Sequence, residues 1–406
     1  MGTRHRRVAP LARVTVVLLA ALALVAAALA APAGAHGRGH AHGHAAHGHG
    51  YGHDHRQGKP LTVMTRNLYL GADLTRAFAA LQAPPDRQVE VLIGATTTIR
   101  AIVDQTSFPL RAQRLAAEIA ERRPDLIGLQ EVALWRHGPL GAEATTVDYD
   151  FLQLLLDALA ARGAHYVVAN AQQESDVTLP GFLGGTLQNL RLTMRDVVLK
   201  RANEGVKVLD ASGANYVTRI PVTLAGQTVA FIRGYNVVDV RAGAKRVRFI
   251  NTHLESESSD VAFAQAAELL AGPAAPGNGW ATILACDCNT DPLSTSVKPG
   301  QVRAHRDPYL LLTGAGGLHD EWLPFAPAEA GFTSGLSELV NDTPEDAAAR
   351  FDHRIDFVFG RRADGSAMPV DRAWVTGKDP DERTPPTPIG RLWPSDHAGV
   401  VMQLRP

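Results

Sequence analysis

The chain has 406 residues, of which 45% are hydrophobic, and 40 Lys and Arg stand against 41 Asp and Glu. This length and composition allow a large buried core in one or two domains and exclude a disordered chain. The even charge balance excludes a strongly basic protein that holds nucleic acid through net charge alone.

The first 35 residues predict a secretory signal peptide. The basic segment RHRR at 4–7 precedes the apolar run VTVVLLAALALVAAALAA, and the small residues Ala33 and Ala35 follow. An uncleaved anchor helix is the alternative, because the run is about long enough to span a bilayer. Both readings place the rest of the chain outside the cytoplasm, secreted or extracytoplasmic. Cleavage lowers Lys plus Arg from 40 to 36, so the mature chain is mildly acidic.

Residues 36–60 predict a disordered linker rich in His and Gly. Eight of the sixteen histidines lie between His36 and His55, spaced by Gly and Ala, with no apolar face to bury. Neutral imidazoles at this density also suit the capture of zinc, copper or nickel, which is the alternative to a plain solvated linker.

From Leu61 to residue 406 the pattern is that of one α/β domain. The segment LTVMTRNLYL, a buried strand that leaves into a loop, is followed by the amphipathic helix LRAQRLAAEIAERRPD and the strand DLIGLQEV, which predicts parallel pairing of the two strands. A helix is predicted over 258–271 and a hairpin through RAGAK. Further strands are predicted at RDVVLKR, QTVAFIRGYNVVDV, KRVRFINTHLE, ATILACD, RIDFVFG and AGVVMQL. Loops or insertions are expected at 133–147, 171–193 and 336–350.

Several apolar strands end abruptly in polar residues that a core would reject. One such residue alone is usually part of a turn, but a buried carboxylate costs several kcal/mol unless it is paired or bound to a cation. The coincidence of so many indicates a site at one edge of the sheets. The residues are Asn67, Glu131, His253, Asp287, Asn289, Asp356, Asp396 and His397.

The chemistry of this set favours metal-assisted attack of water on phosphorus. Carboxylate and amide oxygens suit magnesium, or alternatively manganese or calcium, better than zinc. Histidines whose tautomer is set by a carboxylate can donate to a phosphate oxygen or shuttle a proton. A set of oxygen ligands beside histidines of fixed orientation is typical of a metal-dependent phosphoesterase.

The motifs TRNLY, LIGLQEV, INTHLE, ACDCNTDP, RIDFVF and WPSDHAGVV occur in this order and resemble the endonuclease/exonuclease/phosphatase superfamily. That superfamily includes deoxyribonucleases of the pancreatic type, abasic-site endonucleases, neutral sphingomyelinases and inositol-polyphosphate phosphatases. The resemblance runs from about Leu61 to the C-terminus and includes Asp320 followed by Gly-Phe-Thr. It implies an α/β four-layer sandwich, in which two packed mixed β-sheets are flanked by helices, with a metal-dependent site at one end.

The resemblance also implies roles for the residues on the metal side. Glu131 is expected to be the principal metal ligand, with Asn67 beside it and Asp396 completing the set. Asp287 would orient or deprotonate the attacking water, and Asn289 would hold this water and the phosphate.

The histidines receive their implied roles in the same way. His397 would contact the phosphate with Asp356 as its partner, and His253 would be the second phosphate or leaving-group histidine. Some members of the pancreatic type orient this second histidine with an acid on a neighbouring strand, and Asp196 is the candidate here. A surface aspartate paired with a basic residue of the same strand is the alternative.

The two cysteines, Cys286 and Cys288, flank Asp287 where relatives commonly carry Gly-Asp-Phe-Asn. On a strand both side chains point to the same face, away from Asp287. A disulfide between them is expected to be too tight for extended backbone, and zinc would require further ligands. We therefore expect two small buried hydrophobic side chains under the site.

Together these features predict an exported, divalent-metal-dependent phosphodiesterase, foremost an extracellular endonuclease-like enzyme acting on nucleic acid. Alternatives are a sphingomyelinase or phospholipase C-like enzyme, an inositol-phosphate phosphatase and a noncatalytic metal-binding module. The segment 178–190, with Phe182 between glycines, is the nearest approach to a membrane-contacting hairpin. No obligate protein partner is evident. A basic pocket for extra phosphates would draw on Arg191, Arg195, Lys200 and Arg201.

Overall fold

The computed structural model describes residues 60–202, 205–224 and 227–406. The predicted signal peptide, the alternative anchor and almost all of the His-rich linker lie outside the described residues, so these assignments and the domain boundaries stay predictions. Among the described residues, no helix combines the length and the apolar character that crossing a membrane requires.

The described residues contain sixteen strands. They are β1 (Leu61–Asn67), β2 (Leu126–Gln130), β3 (Leu134–Pro139), β4 (Thr146–Asp150), β5 (Tyr166–Leu183), β6 (Thr186–Arg201), β7 (Val206–Asn215), β8 (Ile220–Leu224), β9 (Gln227–Phe231), β10 (Gly234–Ala242), β11 (Lys245–His253), β12 (Ala281–Asp287), β13 (His319–Asp320), β14 (Asp356–Arg361), β15 (Val370–Thr376) and β16 (Gly399–Leu404).

Helices connect or flank these strands. The α-helices within the described residues are α1 (Ala79–Gln82), α2 (Gln88–Gln105), α3 (Phe108–Arg122), α4 (Phe151–Ala161), α5 (Ser259–Ala271), α6 (Asp307–Thr313), α7 (Trp322–Phe325) and α8 (Pro344–Arg350). Short 3-10 helices cover Leu74–Phe78 and Pro380–Glu382.

Most strands belong to two mixed sheets. The first has the order β15-β16-β1-β2-β6-β3-β4, with β5 paired to β6, and the second has the order β13-β14-β12-β11-β10-β7. In the first sheet β1 runs parallel to β2, as the strand-helix-strand pattern predicts, and antiparallel to β16. In the second sheet β11 and β12 are parallel and their other neighbours antiparallel. The hairpin of β8 and β9 stands apart from both sheets.

The alternation of side chains along the strands builds the layers. On β1, Val63 packs into the core between the two sheets, whereas Met64 packs on the outer face beneath α3 and α4. On β11, Phe249 faces the other sheet and Ile250 packs beneath α5 and α6. Helices therefore cover the outer faces of two packed sheets, and the predicted four-layer α/β sandwich is confirmed.

Two segments expected to be loops or insertions contain strands. Residues 133–147 contain β3 and the start of β4, and residues 171–193 form most of a long β5–β6 hairpin that turns at Gly184 and Gly185, with φ of 58° and 77°. Much of β5 is exposed, so the polarity that suggested a loop belongs to a solvated strand. In the third expected loop, α8 occupies the C-terminal half.

Candidate active site

Three of the predicted site residues lie in one row across the second sheet. His253 ends β11, Asp287 ends β12 and Asp356 begins β14, and in the sheet register His253 is the partner of Asp287, which is the partner of Asp356. Because β14 runs antiparallel to β12, its first residue lies at the edge where the other two strands end. The side chains of such register partners lie close together.

Asn67 and His397 join this row from the first sheet and from the loop before β16. The Asn67 amide donates from Nδ2 to Asp287 Oδ2 over 2.9 Å. His397 Nδ1 lies 2.8 Å from Asp356 Oδ2 and 3.7 Å from Asp287 Oδ2, and His253 Nε2 lies 3.4 Å from that same Asp287 oxygen. All five side chains are buried. Asp287 Oδ2 is therefore the atom on which the group converges.

Asp287, Asp356 and His397 also bring three ligand atoms close together. One ligand atom from each lies within 4.8 Å of the others, and Asp356 Oδ1 is buried without a hydrogen-bond partner among the described residues. A buried carboxylate oxygen with no donor is costly, so a cation or a proton is expected to satisfy it.

Burial and charge in this group raise the pKa values of both Asp287 and His397. Burial raises the pKa of Asp287 to about 7, and Asp356 and Glu131 add to this against the opposing effects of His397 and of the hydrogen bond from Asn67. Burial lowers the pKa of His397, but Asp356, Asp287 and Asp396 outweigh burial and raise it well above its ordinary value. At neutral pH the site thus combines an imidazolium with a carboxylate poised to accept a proton.

Glu131 and Asp396 lie on the metal side that the sequence predicts. Glu131 follows β2 with a left-handed backbone, φ 56°, and its Oε2 accepts from Leu70 N over 2.7 Å. Burial and the negative charge of Asp396 raise the pKa of Glu131. Asn67 Oδ1 accepts from Tyr69 N, so backbone amides orient both side chains. Carboxylates that repel each other in this way, beside an amide oxygen, fit a hard divalent cation.

Ser395 and Arg111 support this side and were missed in the sequence. The Ser395 hydroxyl contacts Asn67 O at 2.9 Å and Asp396 Oδ1 at 3.2 Å. The buried Arg111 guanidinium donates to the carbonyls of Leu68 and Pro394, at 2.7 and 3.0 Å, and so ties the segment after β1 to the segment before Asp396. An arginine on the apolar face of α3 is the feature of the sequence from which such a role could have been predicted.

Asn289 lies just beyond Asp287, where the chain turns with φ 44° at Asn289. Its backbone N–H donates to Asp287 Oδ1 over 3.1 Å, and its Nδ2 donates to Leu254 O over 2.9 Å. Asn289 therefore orients the Asp287 carboxylate, while its partly exposed side chain keeps its amide oxygen for other contacts.

The expected contact between Asp196 and His253 is not formed. Asp196 is fully buried on β6, and neither of its carboxylate oxygens has a hydrogen-bond partner among the described residues. Arg233 takes the position instead, with Nη1 2.9 Å from His253 Nδ1. The alternative of a surface aspartate is also wrong, because Asp196 is buried and Arg195 pairs with Asp150.

The expectation of two free thiols is wrong, because Cys286 and Cys288 form a disulfide. Strand β12 ends at Asp287 and the chain turns beyond it, so the backbone is not extended through Cys288. The Cα atoms are 5.1 Å apart, within the range that a disulfide bridges. Both residues are fully buried, as expected, and pack with Phe357 beneath the site. The disulfide therefore links the two residues on either side of Asp287 in the chain.

A cleft of about 690 Å³ is lined by Glu131 and Asp396, and its described walls are acidic and apolar. Arg233 is the one basic residue among them, and Leu74, Met194 and Ile220 are among the apolar ones. The rings of Phe78 and Phe231, which also line the cleft, meet edge to face with centroids 5.5 Å apart. The acidic residues are Asp73, Glu131, Glu174, Glu255, Glu257, Glu338 and Asp396.

No family model matches the sequence, and no curated protein matches it. Among solved structures, the chain is similar to an endonuclease/exonuclease/phosphatase from Beutenbergia cavernae, with 22% identity, a TM-score of 0.48, and coverage of 86% of this chain and 72% of the other. It is similar to a humanized TDP2 from D. rerio at 15% identity and a TM-score of 0.47, covering 86% and 99%. It is similar to a mannosyl-6-phosphatase from Bacteroides thetaiotaomicron at 16% identity and a TM-score of 0.47, covering 85% and 99%.

Proposed function

We propose that the chain is a divalent-metal-dependent phosphoester hydrolase of the endonuclease/exonuclease/phosphatase superfamily. The observation that carries this proposal is the convergence of Asn67, His253, Asp356 and His397 on Asp287. The six motifs in family order support it, because they supply these same residues at strand ends of a four-layer sandwich.

One set of side chains fits a divalent cation at neutral pH. Glu131, Asn67 and Asp396 would hold it at the cleft wall through hard oxygen atoms, which suits magnesium, with manganese or calcium as alternatives. Asp287, Asp356 and His397 also lie close together, but the raised pKa of His397 keeps its ring protonated and without a lone pair for a metal, so we assign the cation to the first three residues. A bound cation would supply Lewis-acid stabilisation of the charge that develops on the phosphoryl oxygens.

Asp287 is the residue that we assign to the attacking water. Its pKa of about 7 allows it to accept a proton at neutral pH. Asn67 Nδ2 and the Asn289 backbone N–H each donate to one of its oxygens, which holds the carboxylate plane in a single orientation. Each oxygen keeps a further lone pair with which to accept from water.

His397 is assigned to the phosphate. Its Nδ1 faces Asp356 at 2.8 Å, which leaves Nε2–H as the donor available to a phosphoryl oxygen. The raised pKa keeps the ring positively charged at neutral pH, which favours contact with an anionic substrate. Asn289 and His253 complete the contacts to the phosphate or leaving group, and Asp196 is a buried acid whose pKa is raised well above its ordinary value by burial.

For the substrate, we propose a phosphodiester of nucleic acid that the protein cleaves outside the cytoplasm. Export rests on the N-terminal sequence alone. Nicking of a backbone requires only brief contact, so a mildly acidic protein is compatible with it. The Arg and Lys residues of β6 do not favour an inositol-polyphosphate phosphatase, because Arg191 pairs with Asp176 and Arg201 with Asp125, and neither lines the cleft.

A second candidate, a sphingomyelinase-like or phospholipase C-like activity, is favoured by the lining of the cleft. The acidic walls disfavour a polyanion such as a long nucleic-acid strand. One carboxylate oxygen each of Glu174 and Glu255 is buried without a partner among the described residues, which suits a cationic head group. The aromatic pair of Phe78 and Phe231 offers apolar surface next to it.

The test is hydrolysis by the purified protein with magnesium on supercoiled plasmid, sphingomyelin vesicles and inositol phosphates. Glu131→Gln should abolish the activity found, because the amide keeps the shape but not the charge. Glu121→Gln, an exposed acid on α3 that pairs with Arg122, is the matched control and should leave it unchanged. Plasmid relaxation supports the nuclease, and turnover of lipid alone supports the second candidate. Silence on every substrate would favour the noncatalytic metal-binding module.

A further inference from the structure

Arg233 contacts the ring nitrogen of His253 that faces away from Asp287. Its Nη1 lies 2.9 Å from His253 Nδ1, and this is the one hydrogen bond of the guanidinium to any described residue. Both side chains are buried, with 8% of Arg233 and 2% of His253 exposed. The backbone carbonyl of Arg233 accepts from Tyr216 N over 2.9 Å, which anchors the residue between β9 and β10.

The chemistry of the pair determines the tautomer of His253. A guanidinium has only donors, so His253 Nδ1 must be the acceptor and must carry no proton. The proton of the neutral ring is then on Nε2, which lies 3.4 Å from Asp287 Oδ2, an acceptor. The hydrogen bond at Nδ1 therefore sets the tautomer, and the carboxylate near Nε2 is compatible with a proton there.

The surroundings keep Arg233 charged although it is buried. Burial lowers the pKa of Arg233, but the charges of Glu255, Glu174, Glu131 and Asp196 outweigh burial and raise it. Glu174 also accepts from Gly234 N over 2.7 Å, next to Arg233 in the chain. These acidic side chains explain how the charged Arg233 guanidinium is maintained next to Nδ1 of the buried His253.

We propose that Arg233 is a positioning residue that holds His253 as a neutral ring with its proton on Nε2. The inference deepens the proposed function and rests on it, because His253 is taken to face the phosphoester. A ring held in this way donates a hydrogen bond to a phosphate or leaving-group oxygen and retains its proton. An acid at Nδ1, as the sequence suggested for Asp196, would instead favour an imidazolium that could release one.

The first test is the tautomer in the wild-type protein, which needs no substrate. Long-range ¹H–¹⁵N spectra at neutral pH report which nitrogen of each imidazole carries the proton, and comparison with His253→Gln assigns the signals. We expect a protonated Nε2 and an unprotonated Nδ1 in His253. A protonated Nδ1, or rapid averaging of the two tautomers, would overturn the proposal. Loss of the proposed enzymatic function would leave this result unaffected, so the two failures are distinguishable.

The second test compares Arg233→Lys with Arg233→Met. Lysine can still donate to Nδ1, so its variant should keep the Nε2–H tautomer, whereas the methionine variant should show mixed tautomers. On the substrate found active, kcat should fall at least about tenfold in Arg233→Met with KM nearly unchanged, and lysine should restore part of it. A rise in KM with kcat unchanged would show that Arg233 binds substrate and does not position His253.

The matched control is Arg248→Met. Arg248 lies on β11 of the second sheet and forms an ion pair with Asp239 at 2.7 Å, but it contacts none of the site residues. The Arg248→Met variant should leave the NMR signals of His253 and kcat unchanged. If Arg233→Met does not fold, the wild-type spectrum and the lysine variant still decide the proposal.

Discussion

The amide of Asn67 donates to the carboxylate of Asp287 over 2.9 Å, and this hydrogen bond joins the ends of β1 and β12, which belong to different sheets. The two sheets are thereby linked at the edge where the other site residues lie. Consequently, the first sheet sets the orientation of the Asp287 carboxylate, and the second sheet sets its position.

Asp287→Asn should lower kcat by about 10² to 10⁴-fold, because a general base typically contributes this factor. The substitution keeps the shape of the side chain and removes a buried charge, so a large loss of stability is not expected. Steady-state kinetics on the active substrate, with circular dichroism as a check of folding, measure the effect. Asp364→Asn, at an exposed acid bonded to Ser366, should behave as wild type. A kcat within threefold of wild type would remove Asp287 from its assigned role.

Asp287 should also make the metal-free protein less stable as pH rises. Its folded-state pKa, raised by burial from 3.8 to about 7, lies above the unfolded one, so between these values the folded chain binds a proton that the unfolded chain has released. Stability therefore falls with pH in this window. Thermal melts in EDTA between about pH 4 and pH 8 should show wild type losing stability relative to Asp287→Asn. A difference that stays constant with pH would contradict the raised pKa.

Magnesium should raise the melting temperature of the wild-type protein. It should raise the melting temperature of Glu131→Gln and of Asp396→Asn much less. A ligand that binds the folded state alone at about 100 times its Kd stabilises by about 2.7 kcal/mol. Removing one carboxylate weakens the binding and hence the shift. Scanning calorimetry with and without magnesium measures it, with Glu121→Gln as the control at an exposed acid. Equal shifts in all four proteins would place the metal elsewhere.

The disulfide should restrain Asp287. Thiol titration of the wild-type protein in denaturant should find no free thiol, because Cys286 and Cys288 are bonded to each other. The double variant Cys286→Ala/Cys288→Ala should lose up to about 10²-fold in kcat, since small misplacements of a catalytic group cost this much. Two titrated thiols would contradict the bond, and full activity of the double variant would show that Asp287 does not depend on it.

The strands that carry the site could be predicted because both of their faces are buried, and burial on both faces requires a continuous run of apolar residues. Every side chain of β1 and β12 is buried. Strand β12 ends at Asp287 as predicted, and β1 ends at Asn67, within the segment 61–70 that was predicted as a strand leaving into a loop. The polar end of such a strand stands out against its apolar body. This contrast depends on local sequence alone, so one chain is enough to detect it.

The long β5–β6 hairpin and the role of Arg233 could not be predicted in this way. Much of β5 is solvated and lacks a clear alternation, so its pattern resembles a loop. Arg233 sits within a run of residues that was interpreted as one continuous strand, whereas the structure breaks this run between β9 and β10. Its partner is 20 residues away, and only the pairing of β10 with β11 brings the two together. Contacts of this kind depend on register, which local patterns do not specify.

The central claim is that this site hydrolyses phosphoesters with the help of a divalent cation. Its most direct test is hydrolysis of bis(4-nitrophenyl) phosphate, a small diester that makes few demands on the loops around the cleft. Wild type with magnesium should release nitrophenol, EDTA should stop the reaction, and Asp287→Asn and Glu131→Gln should lower the rate at least about 10²-fold. Equal rates in wild type and both variants, or a rate indifferent to EDTA, would contradict the claim.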